Sequence, residues 1–545
     1  MTLFEQILTA RGLTTRAARQ AFLQPDYMAV KHDPFLLPDM KKAVARLKQA
    51  REQGEKIVIY GDYDIDGLSA TALLLDAFGK FGFEDVDAFI PNRFVEGYGM
   101  TMGAVDKVHD MGADLIVTVD TGSLCHAEIA YATSLGIDTV VTDHHNVAET
   151  PPPSVAAVNP KFPGHTYPFR DLCGAGVAFK LVQALQTELD GLPDGYEKWL
   201  LDLVALGTVC DIVTLADENR ANVYWGLEVL KKQQRPGLKA LMAVAGIEPE
   251  QVNARHLGFG LGPRMNAAGR LETAQHALDM LVAHDGLAAL EASEKLEELN
   301  VKRRDIQDAI FEEACVQAEK LANDRVLVVS SDGWNHGVIG IVASKLVEKY
   351  KKPVFIIGER GEEATGSARS FGDFSAADAV RAADDIIIKG GGHGAAAGVT
   401  LETEKIGDFR RRVNEFYDSL QLINQERYLL PRADVEIDDF SEIDEELVAN
   451  LAKMEPFGNG NPEPVLKIAR ASVLSMRRMG TDGQHVKLAL RDKNGKVLQM
   501  LAFNAPEEFF REPGDEVVAW FQPTVNEWQG VRTVEGRLLH IILLD

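Results

Sequence analysis

Between residues 56 and 143 the chain repeats one pattern, a short apolar β-type segment followed by a helix-compatible stretch. The segments are KIVIY (56–60), VDAFIP (86–91), DLIVTVD (114–120) and DTVVTD (138–143), with stretches such as LSATALLLDAFGKFG between them. Strands that alternate with helices at this spacing predict a parallel α/β sheet, because parallel neighbours need a crossover of a dozen residues or more. At roughly 150 residues per domain, a chain of 545 residues predicts three or four folding units. Residues 1–50 read as a polar, helix-prone lead-in, and 51–285 as the first α/β domain with an α-rich second part. Residues 286–324 are nearly free of Gly and Pro. A continuous helix there would be on the order of 60 Å long and would join two domains. RVLVVSS (325–331) opens a second α/β unit, 325–430. From 431 to 545 apolar and polar residues alternate around an Asn494-Gly495 hairpin signal, which predicts an all-β module closed into a small barrel.

Charge and cysteines narrow the setting. Fifty-seven basic and 82 acidic residues leave a net charge of -25, which taken alone disfavours a nucleic-acid partner. Net charge does not describe a site, however, and local arginines with bound divalent cations can hold a polyanion. Cys125, Cys173, Cys210 and Cys315 form no CxxC pair, so a reducing cytoplasm is expected rather than a disulfide framework or a cysteine-rich zinc site. No apolar run approaches the roughly 20 residues of a bilayer span, and the start lacks a signal-peptide core, so the chain is expected to be neither secreted nor membrane-spanning.

The chemistry concentrates where the first segments end. In GDYDIDG (61–67) Asp62, Asp64 and Asp66 alternate just after KIVIY, at the strand edge where open α/β sheets bind ligands. Crowded carboxylates repel unless cations sit among them. Asp120 closes DLIVTVD, Asp143-His144-His145 follows DTVV, and Asp211 interrupts the apolar LVALGTVCDIV, where an unpaired carboxylate would be costly. Each has an ordinary reading, as a cap, a turn residue or a salt-bridge partner. Together they form a set of hard oxygen ligands with imidazole and no thiolate, which suits manganese or magnesium.

These motifs resemble those of the DHH phosphoesterase superfamily: GDYDIDG, VDTG (119–122), TDHH (142–145) and the buried Asp211. LGPRMNAAGR (261–270), the long helix, GSARS (366–370), GGGHGAAAG (390–398) and EPFGNGNPEP (455–464) resemble the RecJ branch, with its DHH-associated domain and OB-like barrel. Thr121 and Met265 depart from the commoner family residues without removing a ligand. The resemblance implies a single-strand-specific 5′-to-3′ exonuclease that releases 5′-mononucleotides in DNA repair and recombination. It implies two Mn2+ ions, with Mg2+ an alternative, held by Asp64, Asp66, Asp120, His144 and Asp211, with Asp120 bridging. Asp62 and His145 would then assist at the catalytic centre.

For the 5′ phosphate the expected contacts are Arg93, Arg264, Asn266, Arg270, Ser367, Arg369, Ser370, Gly391, Gly392 and His393. A single-strand-binding protein and a helicase are the expected protein partners of a monomer. Basic and aromatic residues of the barrel, among them Arg470, Arg477, Arg478, Lys487, Arg491, Phe503, Trp520, Phe521 and Trp528, suit a grip on single strands, with about half of the aromatics assigned to the core. Because every catalytic candidate precedes residue 400, the barrel is expected to be separable from the metal site. Competing readings are an oligoribonuclease or cyclic-dinucleotide phosphodiesterase of the same superfamily, a non-catalytic replication scaffold, and, last, an inorganic pyrophosphatase.

Overall fold

The computed structural model describes residues 1–97, 99–423 and 425–544. Strands β1 (Ile57–Gly61), β2 (Val86–Phe89), β3 (Leu115–Val119), β4 (Asp138–Thr142) and β5 (Ala156–Val158) form the expected sheet, parallel throughout, in the order β2-β1-β3-β4-β5. Every residue of β1 and β3 is buried, as expected for parallel strands covered by helices on both faces. Gly61 pairs with Val119, and Val119 with Thr142. Asp62, Asp120 and Asp143 therefore stand abreast, one residue beyond the paired strands.

The linking segment is helical over Gly286–Lys320, about 52 Å at 1.5 Å per residue. Its first half buries Leu296 and Leu299 in the first domain's core, and its second half buries Ile310, Ala314, Cys315 and Ala318 in the second's. That second domain carries β6 (Leu327–Asp332), β7 (Val354–Arg360), β8 (Glu363–Arg369), β9 (Lys389–Gly392) and β10 (Ala396–Glu402), in the order β6-β7-β8-β10-β9. Only the β6–β7 pair is parallel.

The C-terminal module comprises β11 (Val435–Ile437), β12 (Leu466–Met479), β13 (His485–Arg491), β14 (Val497–Ala502), β15 (Glu516–Trp528) and β16 (Val531–Leu543). Pairing of β12 with both β13 and β15 closes a five-stranded barrel, with β11 added alongside β12. Phe521 belongs to its interior, Trp520 is covered by His540 and Lys467, and Phe503 and Trp528 are 64% and 71% exposed. Arg470, Arg478 and Lys487 are paired with Glu516, Glu507 and Glu535.

The lead-in divides between two cores. Leu3, Ile7 and Leu8 of the helix Leu3–Ala10 pack inside the barrel module, while the helix Met40–Gln53 lies against the first domain. The amphipathic stretch 41–54 was legible in the sequence, whereas the apolar face of Leu3–Ala10 and its place in the barrel module were not. Among the described residues no helix is long and apolar enough to cross a membrane.

The barrel is also less separable than the sequence suggested. Arg220, 4% exposed on the helix Asp217–Lys231, donates to the carbonyls of Phe22, Met454, Glu455 and Pro456. Its guanidinium stacks over Phe22 at 3.8 Å, and Arg11 bridges to Asp434, Asn461 and Pro462. A cut at residue 431 would remove most of these partners. Arg220→Met should leave the carbonyls of Phe22 and Glu455 without a donor, while those of Met454 and Pro456 keep Asn461 Nδ2. At roughly 1–3 kcal/mol for each buried group left unsatisfied, the expected cost is about 3 kcal/mol or more after relaxation. Calorimetry would show it as an earlier barrel transition, and limited proteolysis as faster cleavage near residue 455.

Candidate metal centre

Asp64 caps the helix Ile65–Phe81, its Oδ1 accepting from the N–H groups of Asp66 and Gly67 at 2.9 and 3.2 Å. Asp66, in that helix's first turn, reaches across to the start of the helix Gly174–Leu185 and accepts from the N–H groups of Gly174 and Ala175. A helix N-terminus is a favourable seat for a carboxylate. Asp120 adopts φ +61°, a left-handed conformation that Asp tolerates better than most residues. Asp211 ends the helix Leu201–Cys210.

His144 Nε2 stands 3.0 Å from Asp120 Oδ1, 3.6 Å from Asp211 Oδ2 and 3.7 Å from Asp66 Oδ2. Asp143 faces the other way. It accepts from the N–H groups of Ser123, His144 and His145 and from His145 Nδ1, the last at 2.9 Å. Asp143 thereby fixes the histidine pair without joining the donor cluster.

Three donor groups result: Asp120, His144 and His145; Asp66, His144 and Asp211; Asp62, Asp64 and Asp120. Asp62 and His145, given helper roles by the sequence, thus stand among the possible ligands. Burial and neighbouring carboxylates push Asp62 up to about 7, Asp66 up to about 6 and Asp211 up to about 8, and hold Asp120 well above the usual carboxylate range. Burial lowers His144 to about 3. Burial also opposes a charge on His145, but its hydrogen bond to Asp143 raises it to about 9. Asp62 Oδ1, Asp120 Oδ1 and His144 Nε2 are buried and form no aligned hydrogen bond. Crowded acids, orphaned oxygens and a neutral imidazole are the donor set a hard divalent cation requires.

Across a cleft of about 910 Å³ the cationic residues gather. Asn266, Arg270 and Arg303 line it, and Arg270 donates to Gly337 O of the second domain at 2.8 Å. Burial, then the charges of Arg93, Arg303 and Arg369, bring Arg270 down to about 10. Arg93 stacks over Tyr63 at 4.4 Å. Arg369 ends β8 opposite Ala396, which brings it and Ser370 beside the exposed Gly391, Gly392 and His393. Ser367 and Arg369 both flank Gly340, in the first turn of the helix Ile339–Tyr350.

Arg264 is engaged elsewhere, ion-paired with Glu297 of the linking helix at 2.5 Å and bonded to Gly260 O. That pair joins the helix Gly262–Leu271 to the linking helix. Arg303 escaped the sequence reading. It is 8% exposed and bonded only to the amide oxygens of Asn300 and Gln307 among its helical neighbours. The available signal was an arginine with no acid at i±3 or i±4 in an acid-rich helix. Of the departures from the family pattern, Met265 is fully buried in the core, and Thr121 is buried with its carbonyl accepting from Thr118 Oγ1.

Gly174 makes the close packing possible, since a Cβ there would lie 2.5 Å from Asp120 Cβ. Gly174→Ala should displace the Asp120 carboxylate and weaken divalent-cation binding by about tenfold or more. A Mn2+ titration on a variant of unchanged circular dichroism checks this.

Models of three domain families match the chain: the DHH family, N-terminal domain, over residues 56–208, the DHHA1 domain over 323–419 and the RecJ OB domain over 433–540. The single-stranded-DNA-specific exonuclease RecJ of Escherichia coli is 34% identical, over 92% of this chain and 89% of its own length. The protein of the same name from Bacillus subtilis is 38% identical over 96% of this chain, which spans only 66% of that relative's length. The crystal structure of RecJ from Thermus thermophilus in complex with Mn2+ superposes with a TM-score of 0.82 at 30% identity, covering 99% of this chain and 76% of that one.

Proposed function

The chain belongs to the RecJ family, and from that premise we propose that it is a metal-dependent exonuclease that degrades single-stranded DNA from the 5′ end to 5′-mononucleotides, in repair and recombination. The observation that carries this reading is the meeting of three linked donor groups and an arginine-lined cleft at one sheet edge. Asp64, Asp66, Asp120, His144 and Asp211 hold two divalent cations, Mn2+ or Mg2+. Asp120, a member of two donor groups, would be the carboxylate shared between them, while the single lone pair of His144 Nε2 would serve one cation. Bound there, the cations supply a lowered pKa for water and neutralise charge that builds on the phosphate.

The chain's own part is position. Asp143 orients His145 and, through its backbone contacts, His144. Asp62 and His145 complete the catalytic side. Arg93, Asn266, Arg270 and Arg303, with Ser367, Arg369, Ser370 and the Gly391-Gly392-His393 turn, receive the terminal phosphate, guanidinium groups being suited to paired contacts with phosphate oxygens. Phe503 and Trp528 offer stacking faces to bases further along the strand. Delivery of ends by a helicase or a single-strand-binding protein, and action as a cytoplasmic monomer, complete the proposal. The barrel weighs against an enzyme of short oligonucleotides or cyclic dinucleotides.

Digestion of end-labelled single-stranded DNA, RNA and blunt duplex with Mn2+ or Mg2+ tests it. Release of mononucleotides from 5′ ends of single strands is expected, and confinement of activity to di- to tetranucleotides would overturn it. Asp120→Ala should cost several orders of magnitude in turnover, whereas a loss within about tenfold, only about 1.4 kcal/mol, would remove it from the centre. Arg369→Ala should weaken the preference for 5′-phosphorylated over 5′-hydroxyl ends more than it weakens strand binding, as a comparison of kcat/KM for the two ends would show.

A further inference from the structure

The residue after Asp211 is strained. Ile212 adopts φ +60°, a region in which a β-branched side chain is an outlier and which persists only where the surroundings impose it. Its side chain does not impose it, being 69% exposed. The restraint comes instead from the C-terminal module, 247 positions away, where Asn459 Nδ2 donates to Ile212 O at 2.8 Å. In return Leu215 N–H donates to Asn459 O, also at 2.8 Å. One residue therefore clamps both ends of the 212–215 segment.

The turn that presents Asn459 is itself fixed. Gly458 and Asn461 exchange main-chain hydrogen bonds of 2.9 and 3.1 Å. Asn461, 3% exposed, donates to Met454 O and Pro456 O and accepts from Arg11. Gly460 lies at φ +76°, and a Cβ there would meet Thr214 Cγ2 at 2.6 Å. The left-handed φ favours glycine at this position, where the turn lies against the Thr214 side chain.

We infer that Asn459 is a positioning residue for the metal centre: its amide holds Ile212 in the left-handed conformation that aims the Asp211 carboxylate at His144. The barrel module thus completes the site as well as extending the strand-binding surface. The inference rests on the reading of Asp211 as a cation ligand. The competing account is that Asn459 only staples the barrel to the first domain.

Full-length Asn459→Asp keeps the size and the main-chain bond to Leu215 but replaces the amide donor with an acceptor facing Ile212 O. Mn2+ binding, measured by calorimetry and by electron paramagnetic resonance of free Mn2+, should weaken about tenfold, the range seen when a partner of a ligand is lost. Asp211→Asn is the reference and should weaken it further. Adding Ile212→Gly to Asn459→Asp should restore affinity to within about threefold of the parent, because glycine adopts this φ without strain. A stapling role predicts no such rescue, since no staple is rebuilt. Parental Mn2+ affinity in Asn459→Asp, or weakening that Ile212→Gly leaves unchanged, would overturn the positioning role. Parental affinity in Asp211→Asn would overturn the ligand reading beneath it. If Asn459→Asp does not fold by circular dichroism, Asn459→Ala removes the donor without adding a charge and takes its place in both comparisons.

Discussion

Parallel register brings Asp62, Asp120 and Asp143 abreast, and two helices bring Asp64, Asp66 and Asp211 to the same edge. Like charges about 4 Å apart repel by on the order of 4 kcal/mol at an effective dielectric of 20. Helix packing around the sheet also excludes water that would screen them. Each acid answers this differently. Asp143 spends its oxygens on backbone N–H groups and an imidazole, Asp66 takes a helix N-terminus, and Asp120 and Asp62 keep buried oxygens without donors. The last two set the demand for cations, and the glycines and strained backbone nearby are the cost of holding that demand in place.

The positive side of the molecule is local and shared among elements. In a chain of net charge -25, Arg93, Arg270, Arg303 and Arg369 come from a loop, a helix of the first domain, the linking helix and a strand of the second. No single element supplies them all. Because the linking helix is anchored in both cores, the spacing between acids and arginines is set by packed side chains. A hinge between the domains would have to break one core or the other.

The strands, the aspartates that follow them and the closing barrel were legible because each rests on local pattern, a period, a turn pair or an acid after an apolar run. The contacts that join the units were not. Arg264 has the same neighbours in sequence whether it meets a phosphate or Glu297, and only the path of the linking helix decides. Arg303 was read as part of a linker. EPFGNGNPEP stood out through its family likeness, yet nothing in its residues says that its partner is the carbonyl of Ile212. The lead-in split between two cores for the same reason, since amphipathic faces show that a helix will be buried but not against what.

Arg220 meets four main-chain carbonyls rather than a carboxylate. Carbonyl oxygens do not titrate, and the guanidinium keeps its proton throughout the acid range, so this part of the seam is indifferent to acidification. The bond from Lys345 that holds Asp308 of the linking helix below the usual carboxylate range is lost once that carboxylate takes up a proton. As the pH falls, this contact between the linking helix and the second domain should therefore loosen before the Arg220 join does.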